Sequence, residues 1–253
     1  MRNIIAIVIA VLAAALIVCA VAASRSKNEI GPKITNFLIS LLPPVIGNFI
    51  IIVAQTETLA LFGRYLYAVG IDITMYCLLD FILQYCGMTW HKVWQRVLQI
   101  CIIADIIQFV CNLFFHHAFV SEVMMAYGAP YYNVRSLIGR NIHLGLIYVI
   151  VVAVVVVLLL KAIRGTKIYS EKYSIMLILL MFVGAWELFY IFSRTPVKAS
   201  IIAYCIFGIL CFYFSLYYRP RRLLNHLLAD LVSDVTDGLF FFDDNGKCVW
   251  AYP

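Results

Sequence analysis

Four acidic side chains, Asp72, Asp80, Asp105 and Glu187, fall inside long apolar runs. An ionisable group at bilayer depth costs about 3 kcal/mol unless it is paired or hydrated, so such positions are where chemistry is to be sought. Asp105, Gln108, Asn112 and His116 follow one another at spacings of 3, 4 and 4. At about 100° per residue this gathers all four into an arc of about 80°, one polar face on a single helix. The face climbs toward His117 and a turn-rich aromatic loop holding Tyr127, Gly128, Pro130, Tyr131 and Tyr132. A loop of that length can form a lid over a site, or supply tyrosines to an interfacial belt.

His143 opens the next apolar run, and Glu187 and Tyr190 lie near the end of the one after it. If these faces converge, they build a polar pocket at one side of the membrane, able to take a small ligand. The candidate ligand-binding residues are therefore Asp105, Gln108, Asn112, His116, His117, Tyr131, Tyr132, His143, Glu187 and Tyr190. The alternative is that the amide and carboxyl side chains are interhelical hydrogen-bond glue. Three histidines and a glutamate also have the chemistry of a zinc site, but no HxxxH, HxxE or CxxC spacing accompanies them, and no metal or cofactor is called for. Histidines also suit pH sensing. Asp72, Tyr76 and Asp80 share a second arc that runs the other way, toward the opposite surface, where Asp80 can meet a basic residue.

The elements that must carry these residues follow from composition. Of 253 residues, 64% are hydrophobic and 13% charged, where globular chains are about half apolar and a quarter charged. An ordinary soluble protein is excluded. Apolar blocks run from 3 to 23, 34 to 54, 61 to 83, 97 to 115, 142 to 160, 173 to 193 and 199 to 218. Each has the length needed to cross a bilayer core about 30 Å thick, which predicts an all-α membrane protein, a seven-transmembrane helix bundle. The formal charge of +6 comes from Lys and Arg gathered at block ends, not from a nucleic-acid-binding surface. Connections on one side carry twelve Lys and Arg, those on the other six. The basic-rich side is cytoplasmic by the orientation rule, which puts the N-terminus outside and the C-terminus inside. Of the eight cysteines, six lie within apolar blocks and read as reduced packing residues.

Pro43 and Pro44, followed by Gly47 and Asn48, interrupt the second block and predict a kink. Beyond the last block, Leu223, Leu224, Leu227, Leu228, Leu231 and Val235 recur at helical spacing, an amphipathic linker over 220–237. Then Leu239 to Phe242, a turn at Asp243, Asp244, Asn245 and Gly246, and Cys248 to Trp250 read as a β-hairpin. One hairpin is marginal alone in water, so the expected organisation is a seven-helix sensor domain (1–219), a linker helix (220–237) and the truncated start of a cytosolic domain (238–253).

The stretch Asp237-Gly238-Leu239-Phe240-Phe241-Phe242-Asp243, then Asn245-Gly246-Lys247-Cys248-Val249-Trp250-Ala251, resembles the opening of a PAS domain, with Tyr252 where that pattern often has Asn. Pro43 to Asn48, Gln55-Thr56-Glu57, Asn112 with Phe115-His116-His117, Tyr131-Tyr132 and Tyr217-Tyr218-Arg219-Pro220 resemble the seven-helix N-terminal sensor region of bacterial histidine kinases and diguanylate cyclases. The resemblance implies a multi-pass protein of the bacterial inner membrane that acts as a homodimer. It implies an extracellular small ligand and an output enzyme downstream, a diguanylate cyclase before a histidine kinase.

Pro43, Pro44, Asp72, Asp80, Arg219 and Pro220 are the candidate transmission residues. A competing class is a secondary transporter using the intramembrane carboxylates, which repeated broken helices would favour; only the second block is Pro-interrupted. No HExxH or GxSxG motif occurs, so catalysis is not expected of this chain itself.

Overall fold

The computed structural model describes residues 2–126, 129–164, 167–193, 200–218, 239–242 and 248–252. Lipid offers no partner to a bare peptide group, so apolar blocks of this length close their hydrogen bonds internally as helices. The helices are α1 (Arg2–Ser24), α2 (Gly31–Ser40), α3 (Leu42–Val53), α4 (Glu57–Tyr85), α5 (Lys92–Phe115), α6 (Ile138–Arg164), α7 (Lys167–Ser193) and α8 (Ser200–Leu216). The second block is thus two helices meeting at Leu41, because Pro43 and Pro44 cannot continue the ladder of α2 and instead open α3. Counting that pair as one span, six segments are long and apolar enough to cross a membrane. The 17 residues of α8, also apolar, are at the short end of the spanning range.

Local signals set the helix ends. Thr56 caps α4, its Oγ1 accepting from the Leu59 amide at 3.4 Å, with Glu57 in the first turn facing the helix dipole. Gly87, at φ 62°, ends the same helix in a left-handed turn, where the Met88 amide donates to Leu83. His116 takes the left-handed position after α5, at φ 47°, which glycine usually holds.

Helix α1 packs on α2, α3 and α8; α4 on α2, α3, α5 and α6; and α7 between α6 and α8. The centre holds the ring of Phe37, stacked on Phe81 at 5.7 Å and met edge-on by Phe207 at 6.1 Å. The closest helix pair is α3 with α4: a side chain on Gly47 or Gly63 would strike the partner's backbone, and one on Gly70 would strike Pro44. Small residues are what let helices approach this closely where lipid gives no hydrophobic drive.

Between α5 and α6 the chain forms an antiparallel pair, β1 (Phe119–Ala126) and β2 (Ala129–Ser136), with Phe119 opposite Ser136 and Ala126 opposite Ala129. The residue types predict a turn-rich loop here, and the structure pairs it into a hairpin instead. The side chain of Arg2 ties the α1 N-terminus to the carbonyls of Ile52, Ala54 and Pro130, so α1, the end of α3 and this hairpin share one end of the bundle. At the other end Lys33 pairs with Asp80 at 2.8 Å, and Trp90 Nε1 donates to the same carboxylate at 3.1 Å. A second antiparallel pair, β3 (Leu239–Phe242) with β4 (Cys248–Tyr252), stands where the C-terminal hairpin was expected. The linker, with Arg219 and Pro220, lies outside the described residues, and so does the side chain of Tyr190.

Candidate functional site

The polar face of α5 meets α4, α6 and the hairpin. The Nδ1 atom of His143 on α6 stands 2.6 Å from Asp105 Oδ2 and 3.2 Å from Asp72 Oδ1 on α4. Three helices are joined at one ring nitrogen, and all three side chains are buried. The longer contact lacks hydrogen-bond geometry and is an ion pair when the imidazole is protonated. Both Asp72 oxygens and Asp105 Oδ1 have no hydrogen-bond partner among the described residues. The ring of Phe109 closes the cluster from the side, edge-on to His143 at 4.9 Å. These three ligand atoms lie within 4.8 Å of one another, compact enough to gather round a small cation.

Two turns further along α5, Asn112 holds the hairpin. Its Oδ1 accepts from the Ala118 and Phe119 amides at 2.6 and 3.4 Å, while its Nδ2 donates to Tyr65 Oη at 3.0 Å and to the Phe119 carbonyl at 3.3 Å. An asparagine can satisfy this junction because it offers donors and acceptors together. Gln108 lies beside Gly139, where the start of α6 has no room for a side chain. The His117 carbonyl accepts from the Gly139 amide at 3.1 Å, whereas His116 is exposed at the cap of α5. Tyr131 is buried in the core, and Tyr132 donates from its hydroxyl to the Gln55 carbonyl at 3.1 Å.

Next to this framework is a cavity of about 110 Å³, walled by α4, α6, α7, α8 and, through Phe119 and Val134, by the hairpin. Its polar lining is Arg64, Tyr67, Arg140, His143, Tyr148, Glu187 and Tyr204. Glu187 Oε2 accepts from the Tyr204 hydroxyl at 3.0 Å, bridging α7 to α8 inside the cavity. A second space of about 360 Å³ shares Ile71, Met75, Ile147, Tyr148, Glu187 and Tyr204 with the first and continues into the bundle between apolar side chains.

Of the sequence candidates, His143 and Glu187 line this cavity; Asp105 stands behind His143, and Asn112 serves the hairpin. Asp72, read from the sequence as part of a face leading to the opposite surface, joins Asp105 and His143. Tyr148, which follows His143 on the same helix, lines the cavity as well, and Arg64, Tyr67, Arg140 and Tyr204 join from outside the sequence candidates. Arg64 had a signal, since it stands inside the apolar block and two turns into α4 at the basic-poor side, whereas Arg140, in the first turn of α6, reads as an ordinary end anchor.

Six segments long enough to cross a membrane among the described residues, the shorter apolar α8 beside them and a cavity at one end define a polytopic membrane helix bundle. The family model for the N-terminal 7TM region of histidine kinase matches residues 5–224, and the chain belongs to that family. A search of curated proteins found no match.

Proposed function

We propose that this chain is the input half of a receptor kinase of the bacterial inner membrane, binding an external small ligand at the hairpin end and passing the change through α8. The observation that carries the reading is the hydrogen bond between Glu187 and Tyr204 within the cavity. A ligand there competes with, or reinforces, a direct tie between α7 and the helix that leaves the membrane. Differential affinity for two arrangements of α7 and α8 is all that signalling requires. The cluster of Asp72, Asp105 and His143 then serves as the fixed side of the device, holding α4, α5 and α6 together.

The family supports a histidine kinase output, with diguanylate cyclase as the alternative. The β3–β4 pair and its motif support a PAS domain between bundle and output, and output enzymes of this kind support a homodimer. The basic bias supports an external hairpin end.

Cysteine accessibility tests the site. In a cysteine-depleted full-length protein, Glu187→Cys is expected to react with a membrane-impermeant maleimide added to intact cells, as a cavity open to the outside requires. Reaction only after permeabilisation, with folding intact, would place the cavity on the wrong face and remove the receptor reading.

A further inference from the structure

Resting on the receptor reading above, we infer that the ligand is an anionic amphiphile, its acidic head held by Arg64 and Arg140 and its apolar chain laid into the chamber behind them. Arg64 Nε is buried without a hydrogen-bond partner among the described residues. Among the described residues its Nη2 atom reaches the Tyr132 carbonyl alone, at 3.5 Å. A guanidinium stays charged under all ordinary conditions, and a buried donor left unmade is costly, so Arg64 favours an anionic acceptor at this wall. Arg140 lines the same vestibule and adds a second positive charge where Glu187 is the one carboxylate among the described residues.

The chamber has the opposite character. Its walls are formed by Leu41, Leu78, Val151, Val155, Leu180 and Phe207 and their apolar neighbours. Thr74, a polar residue in that lining, spends its hydroxyl on the Ser40 and Gly70 carbonyls at 2.6 and 2.8 Å. A hydrophilic solute would lose its hydration there and find nothing in return. Arg64 and Leu78 lie fourteen residues apart on α4, about 21 Å along the axis, so vestibule and chamber form an elongated site with charge at one end only. Recognition by a few polar groups at the mouth of an apolar pocket is the usual division of labour in small-molecule sites.

A free carboxylate amphiphile and the anionic lipid of the bilayer share this chemistry. The test uses the chain in nanodiscs of neutral phosphatidylcholine, titrated with sodium alkanoates from hexanoate to tetradecanoate, and with decanol and decyltrimethylammonium as head-group controls. Decanoate is expected to bind at least tenfold more tightly than decanol, with affinity rising about fourfold per methylene until the chamber is full. Arg64→Gln is expected to erase the preference for decanoate while decanol still binds, which also shows that the variant is folded. Val151→Trp is expected to shorten the best chain.

A parallel arm asks whether phosphatidylglycerol is retained from mixed nanodiscs in an Arg64-dependent way. Binding in either arm supports the class and identifies the source. No binding in both arms, or binding indifferent to head charge and chain length, overturns it. If the proposal fails while Glu187→Cys is labelled from outside, the receptor reading survives with a ligand of another class. If that labelling fails as well, both fall.

Discussion

One histidine nitrogen facing two buried carboxylates is an arrangement whose energy lies in keeping all three partners. Removing one member of a buried ionic cluster leaves uncompensated charge in a medium that cannot solvate it, at a cost of about 3–5 kcal/mol. His143→Phe is therefore expected to lower the unfolding midpoint in detergent sharply, and His143→Phe with Asp72→Asn and Asp105→Asn to recover most of it. Equal losses in the single and triple variants would mean that the ring's shape matters and its charge contacts do not. Asn112 acts differently, through neutral hydrogen bonds to a junction. Asn112→Leu strands the Ala118 and Phe119 amides and is expected to cost about 1–3 kcal/mol, seen as faster hydrogen exchange across β1 with α1 unaffected. Exchange unchanged at Ala118 would show the hairpin to be held by its other contacts.

Among the elements, α3 and α4 have the least tolerance for added atoms. A methyl group at Gly70 meets Pro44 with no space to move, whereas one at Gly145 on α6 meets nothing within 4 Å. Gly70→Ala is expected to destabilise by about 1–3 kcal/mol. Gly145→Ala is expected to be neutral or to gain up to about 1 kcal/mol from helix propensity. Like losses at both sites in a denaturant titration would argue against the tight crossing.

The elements themselves were legible because hydropathy and Pro43-Pro44 speak through local physics: block length sets the span, and a missing amide sets the break. The polar face of α5 was legible as a face, but not its partners. Spacing along one helix fixes a direction from that helix's own axis and says nothing about which neighbour stands there, so Asp72 was assigned to a different role. The hairpin was obscured because Tyr131, Tyr132 and Pro130 read as loop and belt residues until pairing with Met124 and Val123 gives them a register. Arg64 and Arg140 were counted only as charges orienting the chain, a global use that concealed their local one.

For the whole molecule, the claim is that the space between α7 and the rest of the bundle governs what α8 does. Topology comes first: reporter fusions after Arg222 are expected to be active in the cytosol, following the twelve-to-six basic bias. The most direct test of the claim needs no knowledge of the ligand. Gly184 lines the chamber and a Cβ there meets nothing within 4 Å, so Gly184→Phe puts a bulky ring at the chamber wall without striking a neighbour's backbone. Gly145→Phe adds the same group to α6 at a position that also has open space. The output of the full-length protein, autophosphorylation under the proposed kinase reading, should change about fivefold or more in Gly184→Phe, in either direction, since coupling between two sites is typically worth 5- to 150-fold. In Gly145→Phe it should stay within about twofold of the parent, well under that coupling range. If both folded variants keep the parent's output, the chamber is a packing defect and not the seat of control.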